Sequence, residues 1–296
     1  MPTFETPTPI SVDIDIVGDA RITASDRTDT VVDVRPRNAA NAGDVKAAEQ
    51  TVVDCSEGRL QVRMPKHWKR YTPFGGGESI AVTIEVPTGS SLEATTDMGD
   101  LHAEGELGSS RLKTAMGNIR LDHAGALHAT TAYGNVVVDR VVGDAEITTG
   151  SGDVRIGEIG GTAVIKDSNG DIAVADVAGD LRVKAANGDI AVGRAHRSVT
   201  AKTARGDVRI RDVSRGTIVM ETAAGELEIG IHEGTAAWLD VSTQFGSVRN
   251  SLGSADEPAP SDHRVEVRAR TSVGDIVIGR PASETTRGAT GRSDEP

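Results

Sequence analysis

Six aspartates stand at one recurring position in this sequence. Asp100, Asp153, Asp171, Asp189, Asp207 and Asp275 each follow a glycine that opens a Gly-Asp-apolar-x-apolar unit. Glu226, Asn118, Asn135 and Ser247 fill the same position in other copies. Carboxylates at a fixed spacing have two chemistries open to them. One is calcium binding, which nonapeptide β-rolls achieve with Asp in turns. Their motif is Gly-Gly-x-Gly-x-Asp, whereas here no Gly-x-Gly precedes the acid, and calcium takes about 6–8 oxygen ligands. The other is glycoside cleavage by a carboxylate pair. Stacked coils would bring Asp171, Asp189 and Asp207 near the ~5–5.5 Å separation of retaining enzymes. An active site breaks a repeat, however, and these acids are the repeat. The expectation is that Asp, Asn and Ser here hydrogen-bond the backbone of their own turn, with no metal and no cofactor involved.

Other reactive types give less. Lys166, Lys184 and Lys202 share one position in three successive copies, four residues before the glycine. Stacked like charges repel, so they are expected to interleave with acids such as Asp171 and Asp189; an anion-binding strip is the sharper alternative. The seven histidines show no zinc spacing, and Cys55 is the single cysteine, so no intrachain disulfide forms. No phosphate-binding loop and no Gly-x-Ser-x-Gly elbow occurs. The strongest departure from the repeat is Lys66-His67-Trp68-Lys69-Arg70-Tyr71-Thr72-Pro73-Phe74-Gly75-Gly76-Gly77. Trp68, Arg70, Tyr71 and Phe74 are the candidate partner-binding residues; the alternative is that the three rings fold back as a cap. Trp238 is expected to pack near the other end.

The elements that must carry these residues follow from the spacing. Ten copies begin at Gly99, Gly117, Gly134, Gly152, Gly170, Gly188, Gly206, Gly225, Gly246 and Gly274. The period is 18 through the middle and widens to 21 and 28 at the end. After the glycine come alternating apolar pairs, such as Val154/Ile156, Ile172/Val174 and Ile190/Val192. Seven and five residues before it come Ala145/Ile147, Ala163/Ile165 and Leu181/Val183. Period-two alternation marks strands. Threonine occupies the position three before the glycine, at Thr96, Thr114, Thr131, Thr149, Thr203, Thr222, Thr243 and Thr271, with Asp167 and Ala185 the exceptions. A unit of this size cannot bury its apolar face alone, so neighbours must stack. The reading is all-β: a single-stranded β-helix, or flattened β-solenoid, of about ten 18-residue coils, each pairing with the next. At ~4.8 Å per coil the rod is on the order of 50 Å long. Strong marks about nine residues apart favour two sides over the three of a hexapeptide helix.

Composition agrees. Three Phe, two Trp and two Tyr in 296 residues leave a core of small aliphatics, which suits a thin coil. The net charge of −12 disfavours nucleic acid and anionic membranes through the long-range field. No apolar run is long enough for a transmembrane helix, and the N-terminal residues do not read as a signal peptide, so a cytoplasmic location is expected. Residues 1–90 read as an irregular β region and cap, with Ala42–Gln50 as a short helix and worn motif copies at Gly18 and Gly58. Residues 91–280 are the solenoid. Gly253–Asp262 is read as a loop, and 281–296 as a disordered tail.

Phe4-Glu5-Thr6-Pro7, Tyr71 to Gly77, Thr148-Thr149-Gly150-Ser151-Gly152 and Ala236-Ala237-Trp238-Leu239-Asp240, with the repeated Gly-Asp-Ile/Val-x-Val units, carry a resemblance. The chain resembles the bacterial β-strand-repeat proteins of domain of unknown function 4097, also labelled "putative adhesin". The resemblance covers about residues 4–280. It implies a β-helical fold, no assigned catalytic residues and no established ligand. The function read from the sequence is a non-enzymatic binding or scaffold module that offers a ladder surface to a protein, a second copy of itself or a glycan. The alternative is a β-helix carbohydrate-active enzyme using a carboxylate pair.

Overall fold

The computed structural model describes residues 1–65, 78–253 and 263–281. Among these the fold is all-β apart from one helix, with the strands gathered in two sheets of 14 and 13. From Ile80–Pro87 onward, successive strands alternate between the sheets. Val154–Ile159 lies in the larger sheet and Ala163–Asn169 in the smaller; Ile172–Val177 then returns to lie parallel beside Val154–Ile159. The register follows the 18-residue period, with Val154 opposite Ile172, Ile156 opposite Val174 and Ile165 opposite Val183. This is the two-sided β-solenoid that the spacing predicts.

The apolar pairs form the core. Val154, Ile165, Val183, Val199 and Val208 are fully buried in a continuous stack between the two sheets. Among the described residues no aromatic side chain is buried there, because the sheets enclose single rows of Val, Ile, Leu and Ala. Coils meet so closely at the corner that a side chain has no room. Gly152 has φ +141°, and a Cβ on it would lie 2.2 Å from the carbonyl oxygen of Gly134.

The two ends differ. At the N-terminal end the strands turn antiparallel: Asp29–Pro36 runs against Ile80–Pro87, and Val52–Ser56 against Arg59–Arg63. Gly58 belongs to the tight turn of that second hairpin, with Glu57 also at positive φ, so it is not a worn corner of the repeat. Gly18, by contrast, is a true corner, stacked under Gly99. The helix Ala42–Gln50 forms as read. Its Asp44 is buried and accepts from the backbone N–H groups of Asn38 and Ser79, both at 3.0 Å.

At the C-terminal end the coils do not stack in chain order. The strand His263–Val273 lies between Gly216–Ala224 and Thr235–Phe245, parallel to both. In the larger sheet Ile276–Gly279 likewise lies between Leu227–Ile231 and Val248–Asn250. The expectation that each coil pairs with its neighbour in sequence therefore fails for the last two. The side chains give the reason. Val265, Val267, Ala269, Ile276 and Ile278 are 0–2% exposed and suit a coil covered on both sides. The coil ahead of them in sequence carries Asn250 at an inward position and is better placed outermost, where water reaches it. No helix among the described residues is long and apolar enough to cross a membrane.

Candidate functional site

The acid column is a ladder. The backbone N–H of Asp171 donates to Oδ1 of Asp153 (3.1 Å), that of Asp189 to Asp171 (2.9 Å), and that of Asp207 to Asp189 (2.8 Å). The ladder starts at Asp19, which accepts from Asp100, and reaches Glu226, which donates to Asp207. The side chains thus serve the next coil rather than their own turn, which corrects the expectation. After each positive-φ glycine the following N–H points back at the preceding coil, where the side-chain oxygen of the equivalent residue meets it. Asn serves as well as Asp: Asp153 donates to Oδ1 of Asn135 at 2.8 Å. Ser suffices on the outermost coil, where Ser247 donates to Asp275 at 2.8 Å and no further coil needs an acceptor. That N–H holds the Asp275 carboxyl below its usual range.

A glycosidase needs two carboxyls whose surroundings drive their proton affinities apart. Apart from Arg155 on Asp153 (2.7 Å), the settings of Asp153, Asp171, Asp189 and Asp207 repeat one another. Each has an oxygen engaged by backbone. Among the described residues no group of three or more His, Cys, Asp or Glu side chains is placed to hold a metal.

The threonine column faces inward and has a similar task. Thr114 Oγ1 donates to the carbonyl of Gly99 (3.2 Å), Thr131 to Gly117 (3.2 Å) and Thr222 to Gly206 (3.0 Å). Each hydroxyl satisfies a glycine carbonyl turned toward the core. Asp167 interrupts this column at 7% exposure. Burial pushes its carboxyl up to about 6, against the opposing pull of the Asn169 and Ser168 N–H groups.

The lysine row also departs from expectation. Lys166, Lys184 and Lys202 stack in register on the outer face of the smaller sheet. Lys166 reaches Glu146 at 3.5 Å and Lys202 reaches Glu221 at 2.6 Å. Asp171 and Asp189 are not their partners; those acids sit at the corner, committed to the ladder.

The model of the Toastrack DUF4097 family matches residues 10–281. The chain belongs to the Toastrack family. No curated protein matches it. Three similar crystal structures are each described as a "putative adhesin". The one from Bacteroides fragilis is 14% identical, with 94% of this chain and 95% of that chain covered and a TM-score of 0.35. The one from Parabacteroides merdae is 14% identical, with 77% and 94% covered and a TM-score of 0.42. The one from Parabacteroides distasonis is 12% identical, with 93% and 95% covered and a TM-score of 0.41.

In this Toastrack chain the candidate contact residues Trp68, Arg70, Tyr71 and Phe74 lie outside the described residues, as do 254–262 and 282–296. A different apolar feature stands out. Met98, Met116 and Tyr133 stack on consecutive coils at the glycine corner, 42%, 48% and 63% exposed. The residue just before the motif glycine was the signal for it in the sequence, since Ser151, Asn169 and Asn187 fill that position further along. Trp238 lies on the outermost strand at 57% exposure rather than packing inward, because its side of the strand faces away from the core. It borders a groove of about 800 Å³ with Leu239, Leu252, Arg264 and Arg280. A second groove of about 810 Å³ crosses the outer face of the smaller sheet past Glu93, Arg111, His128 and Glu146. Cys55 is half-buried, and burial raises its thiol pKa, which leaves it a poor nucleophile.

Proposed function

We propose that this protein is a non-enzymatic, adhesin-like binding scaffold: a rigid rod that contacts a protein partner through its corner. The observation that carries this reading is the row Met98–Met116–Tyr133. Three large apolar side chains on consecutive coils give nothing to the core and stand in solvent, where a partner can bury them. The acids that would serve the carbohydrate-enzyme alternative are engaged in holding coil to coil, which supports binding over catalysis.

The test is affinity capture from the native cell with the wild-type chain and with Met116→Asp/Tyr133→Asp. Both sites are exposed, so the melting temperature should not move. A partner recovered by the wild type and lost by the variant is the expected result. Equal recovery by both chains, or polysaccharide cleavage that disappears in Asp189→Asn, would overturn it.

A further inference from the structure

The outer face of the smaller sheet carries a second feature, separate from the corner. Three parallel strands, Ala163–Asn169, Leu181–Lys184 and Val199–Lys202, place Lys166, Lys184 and Lys202 directly opposite one another. Arg182, two residues before Lys184, points from the same face, between Val164 and Thr200. Four cations therefore occupy one flat patch of a chain with net charge −12. Their backbones are fixed ~4.8 Å apart by the parallel pairing. In-register like charges oppose the pairing that holds them.

Acids engage the two outer lysines. Glu146 takes Lys166, and Glu221 takes Lys202 and stands directly after it in the row. The middle is left open: among the described residues neither Lys184 nor Arg182 has a carboxylate partner, and both are exposed. From this we infer that the patch binds a linear polyanionic glycan, with Lys184 and Arg182 as its centre and the flanking lysines as its ends. A straight row of ammonium groups repeating once per coil matches a polymer that carries one sulfate or carboxylate per sugar, since an extended polysaccharide advances by about one coil thickness per ring. Arg182 adds the planar fork that suits such groups. The overall acidity does not forbid this, because charges beyond about 8 Å are screened at physiological salt.

The experiment uses the full chain and dextran sulfate, with unsulfated dextran, inorganic sulfate and phosphatidylserine vesicles alongside. Dextran sulfate is expected to bind, with affinity falling as salt rises, and unsulfated dextran is not. Arg182→Gln/Lys184→Gln should weaken binding tenfold or more at an unchanged melting temperature. Lys113→Gln, in the same row but outside the patch, should change it less than twofold. Met116→Asp/Tyr133→Asp should leave it intact, so the corner contact and this patch stand or fall separately. Undiminished binding by the double glutamine variant would overturn the assignment. So would a preference for the lipid vesicles, or displacement of the polymer by inorganic sulfate at an equal concentration of sulfate groups.

Discussion

Thr149 and Asp167 are in-register neighbours on adjacent coils, and each holds a buried side-chain oxygen, Oγ1 and Oδ2, without a hydrogen-bond partner among the described residues. Elsewhere the column donates hydroxyl protons to glycine carbonyls. A carboxylate at 167 has no proton to give, whereas a carboxylic acid does. The carboxyl is pushed up to about 6 by burial, above its value near 3.8 in the unfolded chain. The folded state therefore holds this proton more tightly than the unfolded one. Between roughly pH 4 and 6 stability falls as pH rises, and above pH 6 the loss is complete, on the order of 3 kcal/mol. Asp167→Thr, which restores the column, should raise stability at pH 7 by about 2 kcal/mol and gain little at pH 4.5. Urea unfolding of both chains at the two pH values checks this; equal gains at both would show that ionisation is not the cause.

The ladder makes a different prediction. Asp189→Ala removes the acceptor for the Asp207 N–H and should cost about 1 kcal/mol, while Asp189→Asn should cost only a few tenths. Asparagine already serves at 118 and 135. The midpoint of urea unfolding distinguishes the two. An asparagine variant as weak as the alanine one would mean that the charge, not the hydrogen bond, is what the column needs.

The corners should tolerate no side chain. A Cβ at Gly188 would meet the Gly170 carbonyl oxygen at 2.0 Å, and the residue has φ +132°. Gly188→Ala combines backbone strain with overpacking and should cost about 2–5 kcal/mol. Ser56→Ala, in the exposed hairpin, is the control and should change the melting temperature by less than a degree or so.

Hydrogen exchange should reveal the order of the last coils. Val265–Ala269 lies between two strands and buries Val265, Val267 and Ala269, whereas Leu239–Val241 lies on the edge and is half-exposed. Amides of the later segment should exchange far more slowly than those of the earlier one. The opposite ranking, read by mass spectrometry of peptic peptides, would contradict the inserted coil.

Much of this architecture is written in the spacing. The alternating pairs and the glycine period of 18 give two strands per coil and place Val154, Ile156 and Ile165 inside, as found. The inward threonines are legible too, but their purpose is not, because the carbonyl they satisfy belongs to a residue 14–16 positions earlier. The partner of each ladder acid is hidden for the same reason: it is one coil away, while turn chemistry is judged locally. Stacking order leaves no mark in a period. The trace that does exist is Asn250, a polar residue where Ile229 and Ile278 stand in neighbouring coils. The lysine row was visible, but not that Glu146 and Glu221 would claim its ends.

The inserted coil has a consequence for how the molecule is made. From Ser91 to Ile231 a chain emerging from the ribosome can add one finished layer after another. Residues 235–250 then arrive before the layer on which they rest. They must wait, or dock and be lifted off, until 263–279 slides beneath them. Synthesis order and assembly order part at this point, and the last described strands act as a keystone: the rod is complete only when its penultimate layer, the latest made, is in place.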